Sequence, residues 1–459
     1  MSLPECRIPQ ELIEAIIRNL DGDQRSLAHC ARVSVRFLSL SRKLLYKRIV
    51  LEPPIYRGKP NPRYARHFHS VISACPALAN SVEDLTISDM GSLFTWPKWL
   101  SDPSDTSLLE TMTQLRNVRK LKVAGLLSSV YDGSVDWKGL SEHSLLALEH
   151  ARDQFQYLTV LHLHCVSNLD VTFFDFFRNL EELVLDAVTF APWRRPDGNA
   201  SDGGPPLNQS QLKKLCVHTY NGESSSYFMR YLISHRTGLN ISHLESLHHT
   251  NECLHFTDSS RRLNKWKAKC LFEDLELSAL DLPAFSRFTN LQFLSYSLYR
   301  EICDGYSLGS LGWLESRLTG ISYFNRLKVF RLRFHIKWVE DNDYSDSEVP
   351  DEEDALDWGI EMMSLWKWED VDKVLSNTAA FPELRRVEIY FIPDDENIRL
   401  LPVEELCGEI HANLPELSQR KLIYVSRGYS FDAEFVLETF KSRCPALRVK
   451  RAEALKAAA

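Results

Sequence analysis

The chain has 459 residues, more than one small domain needs, so two or more structural units are expected. An apolar fraction of 44% and a charged fraction of 25% are those of an ordinary globular protein, and a formal charge of −8 disfavours nucleic acid as the main partner. No run approaches the ~18 apolar residues of a membrane span, Glu5, Arg7 and Glu11 fall where a signal peptide needs an apolar run, and ten scattered cysteines without a CxxC pair are expected to be reduced thiols. The expected setting is therefore intracellular, cytoplasmic or nuclear, with no membrane.

Three short helices are predicted first. Pro9 suits the first helical position, where its missing N–H is no loss, and Glu11 in the first turn favours the helix dipole. Leu12, Ile13, Ile16, Ile17 and Leu20 recur at helical spacing as a wide apolar stripe. Asp21-Gly22-Asp23 stops this helix and can cap the next, which offers Leu27, Cys30, Ala31 and Val33. Ser34 is the expected N-cap of the third, which carries Phe37, Leu38, Leu40, Leu44, Leu45 and Tyr46. Three helices of ~10 residues are too small to stand alone, so their apolar surplus implies burial against the rest of the chain or against another protein.

The order Ile8-Pro9, Glu11-Leu12-Ile13, Ile16-Ile17, Leu20, Asp21, Ser26-Leu27, Cys30, Val33-Ser34, Phe37 and Leu45-Tyr46 resembles an F-box, in the form common in fungal proteins. Ile8 stands where the family often has Leu, and Val35 where Arg or Lys is frequent. The resemblance implies that residues 1–52 dock on the Skp-type adaptor of a cullin–RING ubiquitin ligase. It marks Ile8, Pro9, Leu12, Ile13, Ile16, Leu20, Leu27, Cys30, Val33 and Leu45 as adaptor-binding residues.

Residues 53–80 read as a connecting segment, with a helix over 63–74 ended by Cys75-Pro76. From there to residue 450 a loose motif recurs, Leu-x-x-Leu-x-Leu. It appears as VEDLTI (82–87), VRKLKV (118–123), LTVLHL (158–163), LEELVL (180–185) and LKKLCV (212–217). It continues as FEDLEL (272–277), LQFLSY (291–296), LKVFRL (327–332) and LRRVEI (384–389), with LESLHH (244–249) as a degenerate copy. The last two apolar positions are two apart and point inward from a strand, while the first closes the core from the entering turn. An aromatic leader such as FQY, FRN, FTN, FNR or FPE precedes several copies and can end a helix and plug the core. This resembles a leucine-rich repeat, but the copies lie ~20 to ~60 residues apart, against the usual 20–29, and the Asn ladder is missing. The expected fold is α/β: a three-helix F-box, then an irregular leucine-rich-repeat-like solenoid of parallel strands over 81–450, and a tail at 451–459.

Two insertions interrupt that body. Residues 191–211, rich in Pro, Gly, Asn and Ser, read as an exposed loop. Residues 340–357 hold ten acidic residues and no basic one, so the segment repels itself and is expected to be disordered. Without those ten charges the formal charge moves from −8 to +2, so the acidity belongs to one loop.

Catalytic patterns are weak. Gly305-Tyr-Ser307-Leu-Gly309 matches a nucleophile elbow, but YREICD before it is too charged for the buried strand that motif needs. His248, His249, Cys253 and His255 are metal-ligand types at no standard zinc spacing. His162 and His164 alternate with Leu161 and Leu163 and read as the exposed face of a strand. No metal, cofactor or catalytic residue is expected. In FRLRFHIKW (330–338), Arg331, Arg333, His335 and Lys337 share one strand face at ~7 Å spacing. That ladder of like charge is unfavourable unless an anion meets it, so these four are the candidate target-binding residues. The expected function is a non-catalytic substrate receptor of an SCF-type ligase, with the repeat body holding an unknown protein target. The competing reading is a repeat scaffold with a helical cap and no ligase partner.

Overall fold

The computed structural model describes residues 9–56, 59–89, 99–127, 132–192, 210–219, 227–228, 231–232, 239–251, 288, 290–302, 318, 326–338, 368–393 and 403–427. They form two compact units, one of residues 9–126 and 139–159, the other of residues 127–138 and 160–427. The architecture is mixed α/β, with parallel sheet in both units.

The first unit opens with α1 (Gln10–Asn19), α2 (Gln24–Val33) and α3 (Val35–Leu45). Pro9 is the N-cap of α1 rather than its first helical residue, and Glu11 and Arg18 sit at the dipole ends that favour their charges. Gly22 takes φ +98 in the turn, where a side chain would be strained. Asp23 caps α2: its carboxylate accepts the Ser26 N–H at 3.0 Å and the Ser26 hydroxyl at 2.6 Å. Those bonds hold the Asp23 carboxyl below its ordinary range. Ser34 stands at the cap of α3 with extended backbone, but its hydroxyl makes no capping bond. The three helices do enclose a small core of their own, built on Ile13, Ile17 and Leu27, with Leu20, Cys30, Phe37, Leu40, Leu44 and Leu45 packed around it.

Strands β1 (Arg48–Leu51), β2 (Asp84–Ser88) and β3 (Lys120–Ala124) follow, parallel and in register from Arg48 to Asp84 to Lys120. Sheet thus begins inside the segment that the sequence assigns to the helical unit. Arg48 also reaches back to Asp21 at 2.8 Å, tying the turn between α1 and α2 to the first strand. Helix α4 (Ala65–Ala74) ends at Cys75 before Pro76, as expected, and α5 (Ser107–Met112) packs against it and against α6 (Glu142–Gln154).

Among the described residues, the main sheet of the second unit carries eight parallel strands. They are β4 (Val160–His164), β5 (Glu182–Asp186), β6 (Lys214–Thr219), β7 (Ser246–Asn251), β8 (Phe293–Ile302), β9 (Val329–Trp338), β10 (Arg386–Pro393) and β11 (Ile423–Arg427). Each pairs with its successor. Every motif copy within the described residues lies on a strand; the copy at 272–277 lies outside them, as do nearly all of 191–211 and all of 340–357 and 305–309. The first motif residue sits two places before its strand and is buried, from Val82 at 0% to Leu384 at 4% exposure. Phe155, Phe177, Phe288 and Phe381 of the aromatic leaders are buried as well.

One bond pattern fixes the register. The carbonyl of the second motif residue accepts two N–H groups of the next copy: Glu181 O takes Lys213 N at 2.8 Å and Lys214 N at 2.9 Å. The same fork recurs at Glu83, Lys213, Glu245, Gln292 and Lys328. Equivalent motif positions therefore stand side by side across the sheet, which places polar residues of different copies in rows. Helices α7 (Trp368–Ser376), α8 (Val403–Asn413) and α9 (Pro415–Gln419) close this unit. Buried Asp372 of α7 accepts the Glu416 and Leu417 N–H groups, both at 2.9 Å, and so satisfies the start of α9.

Candidate functional site

The residues marked for adaptor docking divide into two sets by helix geometry. Leu12 and Ile16, four apart on α1, project outward and are 55% and 48% exposed. Ile13 faces the other way, and with Leu27 it is at most 2% exposed. Those two hold the helices to one another, so the surface reading does not apply to them: a partner cannot touch them without opening the core. Leu20, Cys30 and Leu45 are half-buried against that core. Val33 and Pro9 are exposed; Ile8 lies outside the described residues. Val35, absent from the expected set, is 82% exposed beside Val33 at 70%. Of eight large apolar side chains exposed among the described residues, four are on these helices. The exposure is therefore concentrated here rather than scattered.

The ladder Arg331, Arg333, His335 and Lys337 does lie on β9, but the charge of Arg331 is met from within. Arg331 faces Glu388 of β10 in register, and its Nε donates to Oε2 at 2.6 Å. Arg386 Nε lies 2.9 Å from the other oxygen of Glu388, an ion pair. The Arg331 guanidinium lies 4.9 Å from the Phe293 ring centre and 5.1 Å from that of Tyr390. Arg386 lies 4.2 Å from Tyr424. The expectation that an outside anion must meet Arg331 is thus corrected by a carboxylate on the neighbouring strand. Arg333 is buried, and the side chains of His335 and Lys337 lie outside the described residues.

His162 and His164 also depart from expectation. They are largely covered, and each meets a carboxylate on β5: His162 with Glu182 at 3.3 Å, His164 Nδ1 with Asp186 at 2.5 Å. Asp186 takes a second imidazole, His218 Nδ1 of β6, at 2.7 Å. Burial alone would raise the Asp186 carboxyl, but the hydrogen bonds and charges of His164 and His218 outweigh it and hold it well below the ordinary range. Sequence reasoning missed Asp186 and His218, although His164, Asp186 and His218 are each the seventh residue of a motif copy. His248 lies on β7, while Cys253 and His255 lie outside the described residues. Among the described residues no three His, Cys, Asp or Glu side chains are grouped to hold a metal ion, and no helix is long and apolar enough to cross a membrane.

No protein-family model matches the chain, and no curated protein matches it.

Proposed function

We propose that this chain is the substrate-receptor subunit of an SCF-type cullin–RING ubiquitin ligase. Its N-terminal helices serve as an F-box that docks on a Skp-type adaptor. The strand-bearing remainder serves as an irregular leucine-rich-repeat-like solenoid that holds a protein target in the cytoplasm or nucleus. The observation that carries this reading is the outward set Pro9, Leu12, Ile16, Val33 and Val35, which stays exposed although the same helices have a core of their own. An apolar set of this kind is an interface in search of a partner. The in-register stacking of motif copies supports the solenoid. The mechanism is proximity: the receptor supplies no nucleophile and raises the effective concentration of a target lysine near a charged conjugating enzyme. No cofactor enters it.

The test is capture of the full-length protein by a purified Skp-type adaptor. Leu12→Asp with Ile16→Asp removes two half-exposed apolar side chains, each contributing about 1–2 kcal/mol when fully buried by a partner, so binding should fall by more than tenfold. Because both side chains are about half exposed, the fold should survive, at a cost of under about 1 kcal/mol per position. A folded double variant that binds the adaptor at wild-type strength would refute the docking assignment. A wild-type chain that ignores the adaptor would leave the scaffold reading.

A further inference from the structure

The cluster at the far end of the second unit is built around one carboxylate shared by two guanidiniums. Glu388 is 5% exposed; one of its oxygens accepts from Arg331 Nε, and the other lies 2.9 Å from Arg386 Nε as an ion pair. The cluster therefore carries one positive charge in excess. Arg331 has committed its Nε to Glu388, and among the described residues no hydrogen bond uses the Nη atoms of either arginine. Aromatic rings flank both guanidiniums. Arg331 is held between the rings of Phe293 and Tyr390, and Arg386 lies over Tyr424, whose ring meets Tyr390 edge-on at 6.1 Å. Two forked donors are thus set in place with their outer edges uncommitted, beside a Tyr424 ring that is 42% exposed. Side-chain exposure of 23% at Arg331 and 45% at Arg386 leaves those edges reachable from solvent.

We infer that the Arg331–Glu388–Arg386 cluster, walled by Phe293, Tyr390 and Tyr424, receives an acidic protein segment whose side-chain carboxylates bond the Nη edges of the two arginines. Forked guanidiniums match carboxylates in two parallel bonds, and stacking on aromatic rings lowers the entropy lost when they form. Burial pushes the Tyr390 phenol up, and Glu388 adds to the shift. A nucleic-acid strand fits less well: the ring faces that would stack on bases are already occupied by arginine, and one excess charge meets few phosphates. This inference rests on the proposal that the sheet-bearing unit holds the target; it does not depend on the adaptor.

The test is fluorescence anisotropy of the full-length protein at low salt with a labelled peptide of alternating Glu and Gly. Controls are the same peptide with Gln for Glu, with phosphoserine for Glu, and an oligothymidylate. The Glu peptide should bind at least about tenfold tighter than the Gln peptide. Arg386→Gln should remove most of that difference. Arg331→Lys should do the same while keeping the charge, because an ammonium cannot offer the fork. Equal binding of the Glu and Gln peptides, unchanged binding by both variants, or binding of the phosphoserine peptide or the oligonucleotide alone would overturn the inference. If Arg331→Lys does not fold, Arg386→Gln, at a more exposed position, decides alone. Adaptor capture run on the same preparations separates the two ideas: capture without peptide discrimination sinks only this one, and the reverse sinks only the ligase reading.

Discussion

Replacing Asp186 offers the sharpest test of the rows that the aligned motifs create. Its carboxylate is 1% exposed and accepts from two imidazoles, at 2.5 Å and 2.7 Å. Hydrogen bonds to a charged group contribute about 1.5–3 kcal/mol each. Asn keeps the shape and one acceptor but loses the charge, so Asp186→Asn should cost about 2–4 kcal/mol. Ala removes the acceptor of both Nδ1 groups inside the protein, at a cost of about 3–5 kcal/mol. Urea denaturation of the intact protein, followed by far-UV circular dichroism, reads both. The sign of the pH dependence follows from the depressed Asp186 carboxyl. The unfolded chain binds the proton more readily, so the Asp186 contribution is fully present above the ordinary carboxylate value of about 3.9 and is lost as pH falls below it. The gap between wild type and Asp186→Asn should therefore shrink as pH falls below about 4. A wild-type midpoint for Asp186→Ala at pH 7, or a gap that widens below about pH 4, would refute the reasoning.

Three further outcomes follow from burial. Ile17→Ala, inside the helical core at 1% exposure, should lower stability by about 2–4 kcal/mol, whereas Leu12→Ala on the outer face should cost under about 1; thermal melts of the two variants distinguish the faces. Leu291→Ala should cost about 2–5 kcal/mol, because the first motif residue is fully buried before its strand, and a denaturation midpoint like the wild type's would mean that this position is not core. Asp372→Ala leaves two N–H groups of α9 without their acceptor and should cost about 1–3 kcal/mol, with faster hydrogen exchange at Glu416 and Leu417 as its local signature.

Sequence alone revealed the inner strands because each buries its inward residues fully and must repeat the same apolar positions to stack. It did not reveal β1 and β11. Each pairs with a single ladder strand within its unit, and their burial is shallow: three of the four residues of β1 are only half-buried, and Tyr424 of β11 is exposed. With little to bury, such a strand needs no alternation, so periodicity carries no signal there. The apolar stripe of α1 was legible as a stripe but not as two faces. Ile13 and Ile17 differ from Leu12 and Ile16 only by one helical step, and which side turns inward is decided by α2 and α3.

The polar face failed for a different reason, and Arg331 shows it. Along a strand, like charges two residues apart are ~7 Å from one another, but the nearest neighbour is across the ladder, at ~4.8 Å. A charge reading made along one strand therefore weighs the farther contact and omits the nearer. Once copies of the motif are aligned, the nearer contact can be read without coordinates, because the ladder stacks equal positions. At the second position it pairs Glu181 with Lys213, at 2.9 Å. At the third it pairs Glu182 with Lys214, at 3.8 Å. At the fifth it sets Arg331 against Glu388, and at the seventh it runs His164, Asp186 and His218 into one row. In each case the unfavourable charge on one strand has its counterpart at the same position of the next, so the sheet neutralises itself sideways. What remains in excess after that cancellation, as at Arg331 and Arg386 over one Glu388, is the part of the face left to act on something else.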